Sequence, residues 1–175
     1  VRITTHIRFL SLAAALLFLG KCAPTYAQSN VEGSGYNLML KTLLSHSVPE
    51  ITVDSLNSII SSVQLVDSRE LEEYKVSHIE GALFSGYNNF DSTIVDQLDP
   101  NRPIIVYCSI GYRSEKIAER LIEAGFTNVY NLYGGIFEWV NQSGDIVDED
   151  GETNRVHAYS RTWGIWLKDG EKVYE

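Results

Sequence analysis

Apolar residues fall into three patterns along this chain: one continuous run near its start, stripes at helical spacing, and compact blocks suited to strands. The continuous run, residues 9–19, follows Arg2, His6 and Arg8 and precedes small and polar residues, the layout of a secretory signal peptide. It is well short of the roughly 20 apolar residues that a membrane-crossing helix needs, so a cleaved leader is expected and a stable membrane span is not. Thr25 and Ala27 place small side chains three and one residues before a cut after Ala27, which assigns residues 1–27 to the signal peptide. Leu19 and Gly20 precede Cys22 as they would at a lipoprotein site, but Lys21 stands where such sites want a small residue, so lipidation is not expected. The mature protein is therefore expected to be exported, to a periplasm or to the medium.

Residues 28–48 read as a polar, glycine-containing leader followed by a short amphipathic helix at 36–44 with Leu40, Leu43 and Leu44 on one side. Residues 51–53 suggest a brief edge strand, then Asp54 or Ser55 capping a helix with Leu56, Ile59 and Ile60 on one face. Strand-like blocks recur at 63–67, 104–108 and 128–132. Ile104-Ile105-Val106-Tyr107 is apolar at every position, as in the middle of a parallel sheet covered on both faces. Between the last two blocks, Ile117, Ala118, Leu121 and Ile122 form a stripe over residues 114–124, with Gly125 placed to stop the helix. Strand, helix and strand within about thirty residues make a βαβ unit. With no internal repeat, residues 49–141 are expected to form a single α/β domain, an open and mainly parallel sheet with helices on both faces.

Beyond that domain the pattern changes. Residues 145–152 are acidic, and their spacing does not match an EF-hand loop, so a solvated acidic loop is expected rather than a metal site. His157, Tyr159, Arg161, Trp163 and Trp166 follow, and Asp169-Gly170 lies between two β-rich runs, a hairpin signal. Residues 142–175 are accordingly assigned to an acidic loop and a C-terminal β-hairpin extension that packs its aromatic side chains on the domain.

Charge narrows the range of partners. The 14 basic and 23 acidic residues give a net charge of −9. Loss of the leader removes Arg2, Arg8 and Lys21 but no acid, leaving about 148 residues at −12, so nucleic acid is not an expected partner. The same cleavage leaves Cys108 without a partner for a disulfide, and an unpaired thiol in an exported protein calls for a reason.

That reason lies at the join of the central strand and its helix, Tyr107-Cys108-Ser109-Ile110-Gly111-Tyr112-Arg113-Ser114. In open α/β sheets ligands bind beyond the C-terminal ends of the strands, where Cys108 falls. A loop running straight into a helix can aim several backbone N–H groups at one point and adds the positive end of the helix dipole. Gly111 lets the loop curl, and Arg113 adds a full positive charge five residues after the cysteine. These features favour the thiolate, the nucleophilic form. The competing reading is a structural cysteine buried at the end of a core strand.

Residues 108–113, with Ser114 after them, resemble the six-residue active loop of the rhodanese-like sulfurtransferases. Two flanking motifs agree: Asp67-Ser68-Arg69-Glu70-Leu71-Glu72-Glu73-Tyr74 with Ser77-His78-Ile79-Glu80-Gly81-Ala82 upstream, and Leu132-Tyr133-Gly134-Gly135-Ile136-Phe137-Glu138-Trp139 downstream. The similarity spans about residues 49–140, with Ser77 where the family usually has glycine. It implies that Cys108 accepts sulfur from a small anionic donor such as thiosulfate, holds it as a persulfide, and passes it to a thiol or to cyanide, with no cofactor and no metal. Arg113 and the N–H groups of Ser109, Ile110, Gly111, Tyr112 and Ser114 would bind the donor and the departing sulfite. Phosphatases and arsenate reductases of the same fold hold a larger oxyanion in a loop one residue longer, which disfavours that chemistry here. A non-enzymatic sulfur carrier or an interaction module remains the other alternative. Asp67, Arg69, His78, Gly134, Gly135 and Trp139 are read as scaffold: Asp67 as a cap for the helix near Glu70, and His78 as a buried turn histidine.

Overall fold

A computed structural model describes residues 30–31 and 33–174, so the expected leader, its cut site and Cys22 lie outside the described residues. The apolar block at 104–108 becomes β4 (Ile104–Tyr107), every residue of which is buried. Around it lie β1 (Glu50–Ile51), β2 (Gln64–Asp67), β3 (Leu83–Phe84) and β5 (Val129–Leu132) in the order β1-β5-β4-β2-β3. All neighbouring pairs run parallel. Because side chains alternate across a strand, β4 feeds two separate cores. Ile105 and Tyr107 join Leu40, Leu56, Ile136 and Phe137 on one face. Ile104 and Val106 join Ile117, Ala118 and Leu121 on the other.

The helices supply those outer layers. α1 (Ser34–Leu43), α2 (Val53–Ile59) and α5 (Gly135–Asn141) contribute to the first core, and α4 (Tyr112–Glu123) covers the second. Full burial of a side chain such as Ile117 or Leu121 stabilises by roughly 1.5–3 kcal/mol, so α4 is held by packing more than by helix propensity. α3 (Leu71–Val76) is opened by a capping box in which Glu70 and Glu73 exchange side-chain and backbone hydrogen bonds.

Several local expectations are corrected. Thr52, not Asp54 or Ser55, caps α2, its hydroxyl accepting the Ser55 N–H. The edge strand accordingly ends one residue before that cap. Glu70 caps α3 in place of Asp67, whose carboxylate is occupied by Arg69. Ile122 lies on the open side of α4 and is 41% exposed, because the core-facing stripe needs only Ile117, Ala118 and Leu121.

The largest correction concerns the extension. The hairpin falls within the acidic stretch, where β6 (Ile146–Asp148) and β7 (Gly151–Thr153) pair antiparallel around Glu149-Asp150. Asp169-Gly170 instead leads into β9 (Glu171–Val173), which pairs in parallel with β8 (Arg155–His157). A parallel pair cannot be joined by a tight turn. Residues 158–170 therefore cross over, with a 3₁₀ turn at Gly164–Trp166. The expected docking of aromatic side chains holds: the Trp166 ring stacks on Tyr36 at 5.2 Å, and Val156, Ala158 and Leu167 are buried in the first core.

Candidate active site

Cys108 is the first residue beyond β4, and α4 begins four residues later, so the intervening loop has little freedom. Gly111 caps α4 at φ 116, a conformation natural to glycine, and its N–H points back to Cys108 Sγ at 3.1 Å. The Gly111 carbonyl accepts from Asn131 Nδ2 at 3.0 Å, which ties the turn to β5. From below, α5 holds the loop: the Cys108 carbonyl accepts the Ile136 N–H at 2.8 Å and the Ser109 carbonyl that of Phe137 at 3.1 Å. This close seat requires Gly135, where a Cβ would lie 2.3 Å from the Cys108 carbonyl oxygen and 2.7 Å from the Ile110 nitrogen.

Above Sγ opens a cavity of about 380 Å³. Cys108, Ser109, Ile110, Tyr112 and Arg113 line it, as the sequence suggests. Gly111 and Ser114 do not. Gly111 acts through its N–H on the thiol, and the Ser114 hydroxyl is committed to Asn131 Oδ1 at 2.7 Å. Tyr112 is 41% exposed at the rim.

Arg113 differs from the free cation that the sequence suggests. Its Nη1 and Nη2 donate to the two carboxylate oxygens of Glu73 at 2.6 and 2.8 Å, and Nη2 also donates to Ser109 Oγ at 2.9 Å. The Ser109 hydroxyl in turn donates to Glu73. Burial opposes the charge of both partners, but the paired hydrogen bonds outweigh it. Arg113 is held above the ordinary guanidinium value, helped by the nearby Cys108, and Glu73 below the usual carboxylate range. The outer face of the guanidinium is covered by the Tyr159 ring at 5.0 Å.

Glu73, the partner of Arg113, is a site residue that sequence reasoning missed. It lies in the quoted motif after β2, but its partner is 40 residues away, and no local pattern announces such a pair. Leu43, Glu70, Tyr87, Asn88, Tyr159 and Trp163 complete the lining. The scaffold assignments stand: Arg69 is fully buried and forks onto Asp67, and Trp139 is buried with its indole N–H on the Asp145 carbonyl. His78 is half-buried rather than buried, stacked on Tyr74 at 3.9 Å and bonded to the Tyr74 carbonyl. Among the described residues no cluster of three or more His, Cys, Asp or Glu side chains could hold a metal ion, and no helix is long and apolar enough to cross a membrane.

The arrangement offers a thiol facing a cavity, backbone N–H groups at a helix start, and an ion pair that fixes the loop. Comparison with known proteins points the same way. The sequence profile of the Rhodanese-like domain matches residues 52–142. A protein named thiosulfate sulfurtransferase GlpE, from Shewanella oneidensis, is 40% identical over 78 residues, covering 45% of this chain and 76% of that protein. A Bacillus subtilis protein provisionally named sulfur carrier protein YrkF is 29% identical over 100 residues, covering 55% of this chain and 54% of its own length. Among solved structures, a rhodanese-related protein from Thermoplasma volcanium superposes with a TM-score of 0.52 at 24% identity, over 57% of this chain and 98% of that one, a likeness of fold.

Proposed function

Since the chain belongs to the rhodanese-like domain family, we propose that it transfers sulfane sulfur from a donor such as thiosulfate to a thiophilic acceptor through a persulfide on Cys108. The observation that carries this reading is the position of Sγ, at the floor of the cavity and 3.1 Å from the Gly111 N–H at the start of α4. The Gly111 N–H and the positive end of α4 face the sulfur that carries negative charge as it attacks and leaves. It attacks the outer sulfur of thiosulfate, and the S–S bond breaks with its electron pair leaving on sulfite. An acceptor thiol or cyanide then attacks the outer sulfur of the persulfide and releases the Cys108 thiolate. Arg113, committed to Glu73, serves chiefly to position Ser109 and the loop, leaving backbone N–H groups to meet the anionic donor.

Turnover is favoured over simple carriage by the cavity, which gives an acceptor room above the sulfur. Incubation with thiosulfate followed by intact-mass measurement is expected to show one added sulfur, and Cys108→Ser is expected to show none, because an alcohol cannot form the persulfide. Aryl-phosphate hydrolysis as the dominant activity would overturn the reading. The same proposal includes export: N-terminal sequencing of periplasmic or secreted material is expected to begin at Gln28. Lipid on Cys22, or uncleaved protein in the cytosol, would reject it.

A further inference from the structure

The cavity over Cys108 is only partly a product of the matched family region. Cys108, Ile110 and Arg113 lie within residues 52–142, whereas Leu43 comes from α1 and Tyr159 and Trp163 from the crossover after β8. That outer wall is held in place. Tyr159 has φ 62, in the left-handed region that a bulky aromatic residue rarely adopts. Its N–H donates to His157 Nδ1 at 3.2 Å, and its ring lies on the Arg113 guanidinium. Trp163 is set by its N–H on Ser160 Oγ at 3.4 Å, followed by the Gly164 N–H on the Ser160 carbonyl at 2.7 Å. The α1 side is braced against the same segment by the Tyr36–Trp166 stack.

Charge then decides what the space suits. Arg113 is bidentate to Glu73 and capped by Tyr159, and Glu70 adds a further carboxylate at the rim. A second small anion finds no uncommitted side-chain cation in this lining. An apolar body, by contrast, can bury itself against Leu43, Ile110, Tyr159 and Trp163, and the volume is that of a small organic ligand.

Resting on the sulfur-transfer reading, we propose that the α1 and crossover wall selects the acceptor, a small thiol carrying an apolar, preferably flat, group. The acceptor thiol gives up its proton, and its sulfur attacks the outer sulfur of the Cys108 persulfide. The S–S bond to Sγ breaks with its electron pair staying on Sγ, and the product leaves as an organic persulfide after taking up the proton. No oxidant or reductant is consumed.

The test loads Cys108 with thiosulfate, removes excess donor, and follows persulfide loss by intact mass with benzyl mercaptan and with 2-mercaptoethanesulfonate. Each rate is divided by that of the same thiol with glutathione persulfide, to remove intrinsic reactivity. The corrected ratio is expected to favour benzyl mercaptan by about tenfold or more, the scale of discrimination by an apolar pocket. Trp163→Ala is expected to bring the ratio close to one, and so is Tyr159→Ala at a half-exposed position that leaves the core untouched. Equal corrected rates in the unaltered protein, or a ratio unmoved in both folded variants, would overturn the acceptor proposal alone. If no donor loads Cys108, the sulfur-transfer reading falls and the acceptor proposal falls with it.

Discussion

Two buried arginine–carboxylate pairs serve this molecule in different ways. Asp67 and Arg69 are two residues apart at the end of β2, wholly buried, with the guanidinium also donating to the Ser77 carbonyl at 2.5 Å. Glu73 and Arg113 are 40 residues apart on α3 and α4, and their side chains keep 4% and 12% exposure at the cavity edge. The first pair is a local device that fixes one turn. The second is a tie between elements, and whatever moves α3 moves the loop that carries Cys108. A buried ion pair is therefore defined less by its depth than by what it connects.

The sharpest way to break the comparison is to remove Asp67. Asp67→Ala strands the Arg69 charge in the core, and a loss of about 3–5 kcal/mol is expected in chemical denaturation. Arg113→Ala is expected to cost less stability, about 1–3 kcal/mol, because truncation opens Glu73 to the cavity and Glu73 keeps the Ser109 hydroxyl and the Glu70 N–H. It should instead cost activity, about a hundredfold in thiosulfate turnover, through a misplaced loop. Arg113→Lys should rescue little, since an ammonium cannot reproduce the fork. A turnover loss in Asp67→Ala matching that in Arg113→Ala, measured on folded protein, would erase the distinction.

The smallest effect is expected at His157, which senses both pairs. Burial lowers its pKa; Glu73 counters this, while Arg69 and Arg113 reinforce it. Because the folded value is depressed, the folded state binds fewer protons than the unfolded one as pH falls below the ordinary histidine value of about 6.5. Stability from this group is thus full above that value and is lost as pH drops through the folded pKa. Titration by NMR should show the His157 value rising in Arg113→Ala. An unmoved value would mean that the second pair does not reach the extension.

The sequence made the central sheet legible because an apolar block such as Ile104-Ile105-Val106-Tyr107 has few other places to go. It also exposed Cys108, since an unpaired thiol, a glycine and an arginine at a strand-to-helix join form a local pattern. What stayed hidden was non-local. Nothing near Glu73 in the chain distinguishes it from Glu72, yet one side chain is buried on Arg113 and the other is exposed. The extension misled for a related reason: Asp150-Gly151 and Asp169-Gly170 look alike, and only strand partners chosen in three dimensions decide which one marks a hairpin turn. Tyr159 was legible only as one of several aromatic residues expected to dock on the domain; that it covers Arg113 depends on a left-handed backbone that aromatic residues seldom take.

The parallel pairing of β8 with β9 has a consequence for what holds the wall of the site. A thirteen-residue crossover, 158–170, is closed at its base by three paired residues on each side. Its closure entropy is that of a short loop, and lengthening it even twofold would add only about 0.6 kcal/mol. The wall carrying Tyr159 and Trp163 is therefore held less by the length of its loop than by bonds made along it: Asn141 donates to the Trp166 carbonyl and accepts the Lys168 N–H, and the Trp166 ring stacks on Tyr36. Bonds in the middle of the crossover, away from the paired strands at its base, are thus what keep Tyr159 and Trp163 beside the thiol.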